Sequence, residues 1–332
     1  MRTSGILIAV CGLVAFVQGS NGFLQVDAVD SMFARYMARY GKSYSTKEEY
    51  NLRKALFEKQ LEVIALSNAR NGASYTVGLN QFSDLTDQEF SRYLGDSGAP
   101  EEVPEPALDV DFGDVQPIDW RNYGVVGPVK DQGHCGSCWS FSTIGPIEEH
   151  YAIKYNASVV LSEQQLVDCS TPYGNNGCNG GLFANGYAYV QQYGAQSSDS
   201  YPYTASDDFC AYNDTAVQVR ITGTISAIRS ASGLKAALQN GPASISLYAS
   251  DPDFRAYKTG IYDNAACPTS VNHAVQTVGW GKDAASGKNY FIVRNSWGAS
   301  WGDQGYIKIA ESTTTLGICG MLYRVPMQPI IE

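Results

Sequence analysis

Residues 132–142, QGHCGSCWSFS, put two cysteines three apart at the head of a segment whose residues 138–155 read as a helix. A thiol at a helix N-terminus meets unpaired backbone N–H groups and the positive end of the macrodipole, and both stabilise the thiolate. A nucleophilic thiolate also needs a basic partner. The chain has three histidines, His134, His150 and His273. His273 heads the strand-like run 274–280, AVQTVGW, and Asn295 opens NSWGASWG. A Cys138–His273–Asn295 set would let the Asn amide hold the imidazole in orientation. The Gln132 amide, together with the Cys138 backbone N–H, offers two donors to a developing oxyanion. His134 reads as a solvent-facing loop residue and His150 as a structural one. No other C-x-x-C and no H-x3-H is present, which leaves a zinc site without its second ligand pair.

The rest of the chain sets the context. Its 332 residues suggest about two domains, and 44% hydrophobic with 17% charged residues excludes a disordered chain. The net charge of −10 argues against nucleic acid as a partner. Residues 5–17, GILIAVCGLVAFV, follow Arg2 and are too short to span a bilayer. They fit a secretory signal peptide over 1–19, cut after Gly19, and no later run suggests a membrane span. Removal of Cys11 leaves seven cysteines, at 135, 138, 169, 178, 210, 267 and 319. An odd number in an oxidising compartment points to one free thiol. Asn156 and Asn213 head glycosylation sequons.

Residues 27–40 carry Val29, Met32, Phe33, Tyr36, Met37 and Tyr40 at helical spacing. Residues 47–68 repeat the pattern with Leu52, Leu56, Phe57, Val63 and Ile64, and Glu49 and Arg53 form an i,i+4 pair. Thr86–Glu89 and Ser162–Gln165 read as capping boxes. Residues 95–117 hold seven acids, four prolines and no base, an exposed linker open to proteolysis. Beyond it, 243–248, 274–280, 289–294 and 305–310 read as strands. Pro146 falls inside the helix after Cys138, where it costs roughly 3 kcal/mol unless the helix bends.

Cys135-Gly-Ser-Cys138-Trp139, with distant His273 and Asn295, resembles the signature of the papain-like cysteine proteases. Upstream, Glu49, Arg53, Phe57, Gln60, Ile64 and Asn68 are similar to that family's interrupted E-R-F-N-I-N motif, Gln60 standing where Asn is usual. Gly78, Asn80, Phe82 and Asp84 match its G-x-N-x-F-x-D motif. Together they resemble a cathepsin L-type preproenzyme.

The resemblance implies an α+β, two-lobed fold, one lobe helical and the other β-barrel-like, behind a helical inhibitory prodomain. The domains would be the signal peptide 1–19, the propeptide 20–114 and the peptidase domain 115–332. It implies Cys138 as nucleophile, His273 as base and acid, Asn295 as orienter, Gln132 in the oxyanion hole and Trp297 as a shield. It pairs Cys135 with Cys178, Cys169 with Cys210 and Cys267 with Cys319, leaving Cys138 free. Each bridge would contribute roughly 3–4 kcal/mol in the loop-entropy model. Gly180, Gly181, Leu182, Phe183, Ser246, Ala274, Arg324 and Trp297 would line the substrate cleft. Most of these favour an aliphatic or aromatic residue two positions before the scissile bond. Arg324 is the exception: turned inward it would admit an acid, turned outward it would leave the pocket apolar.

The implied activity is a cysteine endopeptidase, lysosomal, vacuolar or extracellular, activated by prodomain removal at acid pH. Asp84 and the Glu49–Arg53 pair are the expected acid-sensitive groups. Partners would be peptide and protein substrates, the chain's own propeptide and cystatin-type inhibitors, with the protein a monomer and no cofactor implied. The competing reading is a catalytically silent binding or storage protein; the complete set Gln132, Cys138, His273 and Asn295 speaks against it.

Overall fold

The structure, a computed structural model, describes residues 22–70, 74–96, 113 and 115–332. The apolar run 5–17 and most of the acidic stretch lie outside them. The chain divides into two compact units, residues 1–45 and 46–332.

The first unit is built on α1 (Gly22–Tyr40), longer at its start than the predicted 27–40. Phe33 and Tyr36 are buried, and Phe33 stacks on both Tyr36 and Tyr44.

The second unit opens with α2 (Lys47–Asn68), the bounds read from the sequence. Thr46 starts it by accepting from the Glu49 N–H at 3.1 Å. Phe57 is buried as expected, but Leu52 is half exposed. Strand β1 (Tyr75–Val77) leads to α3 (Asp87–Phe90), where Thr86 and Glu89 close a full capping box. Then come β2 (Ile118–Asp119), α4 (Cys138–Tyr155), α5 (Glu163–Cys169), α6 (Phe183–Tyr193), β3 (Ala195–Gln196), β4 (Val217–Val219) and β5 (Ile221–Ser226). The chain continues through α7 (Ala231–Ala237), β6 (Ala243–Leu247), α8 (Pro252–Arg255), β7 (Tyr257–Tyr262), β8 (His273–Lys282), β9 (Asn289–Arg294), β10 (Tyr306–Ala310) and β11 (Met327–Ile331). The Ser162 box forms only by half: Ser162 caps the Gln165 N–H, while the Gln165 side chain donates to Tyr189 and the Gly194 carbonyl instead.

The strands assemble in the order β1-β7-β10-β9-β8-β6-β11-β5, with β2 on β8, while β3 and β4 pair separately. One apolar core lies on this sheet, built from residues such as Ile245, Val293, Trp297 and Trp301; the aromatic side chains of Tyr75, Phe82, Phe90 and Tyr93 join it from the segment that follows α2. A second core packs α4, α5 and α6 around Ile144, Ile147, Leu166 and Tyr187. Helical lobe and sheet lobe are thus both present. The three expected disulfides are formed, and Cys138 is the free cysteine among the described residues.

Pro146 sits inside α4 without breaking it. It cannot donate to the Ser142 carbonyl one turn back. The Ser244 hydroxyl of β6 donates there instead, and Tyr187 Oη lies 2.8 Å from the same Ser244 oxygen. All three residues are buried, so the proline's missing bond is made good by a neighbouring element. Ser244→Ala strands both partners and is expected to lower the urea-unfolding free energy by about 2 kcal/mol. In a Pro146→Ala background the helix supplies its own donor, and the same change should cost clearly less.

Candidate active site

Cys138 is the first residue of α4, and its N-cap Ser137 makes no side-chain capping bond. The Ser140 N–H bonds the Ser137 carbonyl at 2.8 Å, which leaves the N–H groups of Cys138 and Trp139 to the thiol and to whatever binds beside it. His273 starts β8 and Asn295 follows β9 directly; the antiparallel register Gln276↔Arg294 brings the two together. His273 Nε2–H donates to Asn295 Oδ1 at 2.8 Å, which holds the imidazole in one tautomer. Its Nδ1 is then a bare base, buried and without a hydrogen-bond partner. Asn295 is held in turn: its Oδ1 accepts from the Ser296 N–H at 2.8 Å and its N–H donates to the Gly305 carbonyl. Trp297 stacks on His273 with centroids 4.5 Å apart, and both side chains are fully buried. The Ala274 N–H, next to the imidazole, donates to Cys138 Sγ at 3.4 Å. Sequence reasoning thus named a set that the fold brings to one place from positions up to 157 residues apart.

Gln132 is buried beside them. Ser296 Oγ–H donates to its Oε1 at 2.7 Å, which turns the amide so that Nε2 reaches the Cys135 carbonyl at 2.8 Å and the Tyr93 carbonyl at 3.0 Å. The second acceptor comes from the segment just after α3. A donor fit for an oxyanion is thus occupied by a backbone carbonyl of the chain's own N-terminal region. Tyr93 Oη also lies 2.9 Å from His134 Nδ1, so His134 is exposed as expected yet has a partner. His150 is structural: Nε2 lies 2.9 Å from the Pro242 carbonyl, and burial lowers its pKa.

Residues 94–96 continue along the site. Gly181 N–H donates to the Gly95 carbonyl at 2.8 Å, and Asp96 N–H donates to the Asn272 carbonyl at 3.1 Å. Asp96 bridges Gly181 in parallel. Gly95 and Asp96, assigned to the linker from their composition, are instead seated between Gly181 and Asn272. Composition reports solubility, not docking; Gly95 is there because a Cβ on it would lie 1.8 Å from the Gly136 carbonyl oxygen.

Of the other cleft residues, Ser246 pairs with Ala274 in register and is buried. Leu182 is half-buried after Gly180 and Gly181, whereas Phe183 packs in the helical core. Arg324 is turned inward and buried. Its Nε lies 3.0 Å from both Asp96 carboxylate oxygens, and a terminal nitrogen lies 2.6 Å from Oδ1. The outward alternative does not occur.

Burial decides the charge of the reacting pair. It pushes the Cys138 thiol up to about 12, aided by the nearby Asp96 charge, against the pull of the Ala274, Gly95 and Trp139 N–H groups. It also pushes His273 down to about 4, although the bond to Asn295 favours the imidazolium. Under the covering segment 93–96, burial therefore works against the charged form of both groups. Iodoacetamide at pH 6 should alkylate Cys138 at least about 100-fold more slowly in the intact zymogen than after propeptide removal. Equal rates would mean that the covering segment does not control the thiol.

Comparison with known proteins identifies the family. Residues 115–327 match the model of the papain family cysteine proteases, and residues 33–90 match the cathepsin propeptide inhibitor domain. A cathepsin L-like proteinase of Fasciola hepatica is 37% identical over 97% of this chain and 98% of its own. The thiol protease aleurain of Arabidopsis thaliana is 41% identical over 86% of this chain and 81% of its own. Among solved structures, a recombinant stem bromelain precursor superposes with a TM-score of 0.83 at 36% identity, covering 92% of this chain and all of its own. The chain belongs to the papain family of cysteine proteases, as a cathepsin L-like member synthesised as a zymogen with its own propeptide inhibitor domain.

Proposed function

We propose that this protein is a secretory-pathway endopeptidase, lysosomal, vacuolar or extracellular. It hydrolyses peptide bonds through Cys138, His273 and Asn295, and is released from its propeptide at acid pH by cleavage near 112–117. The observation that carries the reading is the 2.8 Å bond from His273 Nε2 to Asn295 Oδ1, with Cys138 Sγ receiving the N–H of the adjacent Ala274. The apolar run 5–17 behind Arg2, of signal-peptide length, and three disulfides support the compartment. Asn156 and Asn213 are exposed, open to glycan addition.

The chemistry follows from the atoms. Once the propeptide leaves, His273 Nδ1 takes the Cys138 proton and the thiolate attacks the substrate carbonyl carbon. The oxyanion takes the place of the Tyr93 carbonyl on Gln132 Nε2, with the Cys138 N–H as second donor. The imidazolium protonates the leaving amine, the C–N bond breaks, and His273 then draws a proton from the water that cleaves the thioester. Asn295 and Trp297 keep the ring oriented and dry throughout.

The ion pairs of the propeptide refine the acid trigger. Arg53 meets Glu49 at only 3.6 Å but Glu89 at 2.6 and 2.7 Å. The hydrogen bond from Arg53 and those from Thr86 hold the Glu89 carboxyl down at about 2. A lowered carboxyl contributes its stabilisation above its unfolded pKa and loses it only as pH falls through the folded value. This pair therefore survives pH 4–5 and is not the sensor. Glu89→Gln should speed processing at every pH from 4 to 7 without moving the pH midpoint. Asp84 is buried and its backbone carbonyl accepts from Arg53 at 3.1 Å; unchanged pH dependence of processing in Asp84→Asn would remove it from the acid trigger.

The direct test is to incubate the secreted zymogen at about pH 4–5 with a thiol reductant, beside a Cys138→Ala control. Reductant-dependent peptide hydrolysis, absent in the control and blocked by an epoxide inhibitor, is the expected result. A folded, fully processed wild-type chain that cleaves nothing would instead be a silent binding protein.

A further inference from the structure

We infer that Arg324 makes this protease select substrates with an acidic side chain, Asp or Glu, two residues before the scissile bond. The inference rests on the protease reading above and deepens it.

The propeptide itself supplies the evidence. Gly95 brings its N–H to the Cys138 thiol alongside those of Ala274 and Trp139, and its immediate neighbour Asp96 is pinned by the backbone on both sides, to Gly181 and to Asn272. The side chain that enters the pocket from this position is a carboxylate, 1% exposed, on a guanidinium that is 6% exposed. Three N···O contacts of 2.6–3.0 Å join them, a geometry that Arg forms with a planar carboxylate and an ammonium cannot copy. Asp96 is the only ion-pair partner of Arg324 among the described residues. When the propeptide leaves, a buried cation loses its counter-charge. Leaving one partner of such a pair unmatched in a low-dielectric site is strongly unfavourable. A Leu or Phe side chain would impose that penalty, and an Arg or Lys side chain would add repulsion; an Asp or Glu side chain would remove both. A site built around a buried polar group discriminates far more sharply against ligands that cannot pair with it than an apolar pocket discriminates by size. Ser246 adds to this polarity, since its buried hydroxyl has no hydrogen-bond partner on the strand pair that carries Ala274. The apolar preference expected from Leu182, Phe183 and Ala274 takes no account of this charge.

The test uses the processed enzyme and fluorogenic peptides differing only at that residue: Asp, Glu, Leu, Phe and Arg. The quantity read is the ratio of kcat/KM between peptides on one enzyme, which is independent of the fraction folded. The wild type is expected to favour the better acidic peptide over Leu by roughly 10- to 100-fold and to cleave the Arg peptide worst. Arg324→Leu should invert the acid-to-Leu ratio, and Arg324→Glu should make the Arg peptide the best of the set. A wild type that prefers Leu or Phe, or a ratio unmoved by Arg324→Leu, overturns the inference. Epoxide labelling of Cys138 and digestion of a denatured protein report separately on the protease reading. An enzyme that labels and digests but prefers Leu loses only the pocket assignment. A chain that does neither loses the protease reading, and the pocket is then read from binding of the same peptides. Tighter binding of the acidic ones supports the assignment, and equal or tighter binding of Leu overturns it.

Discussion

A Cys138→Ala chain is expected to fold, form its three disulfides and hydrolyse no peptide, a loss of at least about 10⁴-fold in kcat/KM. The substitution removes the one free thiol among the described residues and leaves the rest of the site intact. Cys138 is fully buried at the head of α4, but the change to Ala removes a single heavy atom and should cost stability only modestly, so lost activity cannot be ascribed to unfolding. Asn295→Ala should behave differently. It leaves thiol and imidazole in place but frees a ring now held at 2.8 Å, and a loss of roughly 10- to 100-fold is expected. The measurement is hydrolysis of a peptide at about pH 5 under reductant, normalised to folded protein. An Asn295→Ala enzyme as active as wild type would remove the orienting role; full activity in Cys138→Ala would remove the mechanism.

Gly95→Ala should produce a zymogen that cannot keep itself shut. The new Cβ would lie 1.8 Å from the Gly136 carbonyl oxygen and 2.4 Å from its carbon, both backbone atoms that no rotamer change can move. To relieve the clash the segment must withdraw by more than an ångström. That breaks the Gly181–Gly95 and Asp96–Asn272 hydrogen bonds and pulls the Asp96 carboxylate off Arg324. Withdrawal also rehydrates Cys138 and His273, whose charged forms burial works against. The full-length variant should therefore take up an epoxide label at neutral pH at least about 100-fold faster than the wild-type zymogen. After the proposed cleavage near 112–117 residue 95 is gone, and the processed variant should match the processed wild type. Identical labelling of the two zymogens would show that inhibition rests elsewhere in the propeptide.

How much of this was legible in the residues can be judged element by element. The limits of α2 and α4 and the Thr86–Glu89 box follow from interactions within four positions, where periodicity and caps decide. The reacting set was legible for another reason: a thiol, an imidazole and an amide have few other uses together, and the flanking motifs resembled those of a known family. The same local reasoning put Leu52 on a buried face, but the second unit has nothing covering it. It gave Gln165 to a cap, whereas the Gln196 N–H of β3 takes its Oε1, and Tyr189 of α6 and the Gly194 carbonyl accept from its Nε2.

The sequence by itself determined which groups can do chemistry and where the helices begin and end, because both depend on a residue and its near neighbours. Only the tertiary structure decided what those groups meet. Arg53 was read with Glu49, four residues away, and binds Glu89 more closely. The hydrogen bond denied by Pro146 is made good by Ser244, about a hundred residues on. Arg324 and Asp96 stand 228 positions apart and looked like an oddity and a linker acid. No periodicity links such positions. They meet because packing the propeptide against the sheet leaves a buried cation and a buried anion no better partner, and burial makes that choice costly to refuse.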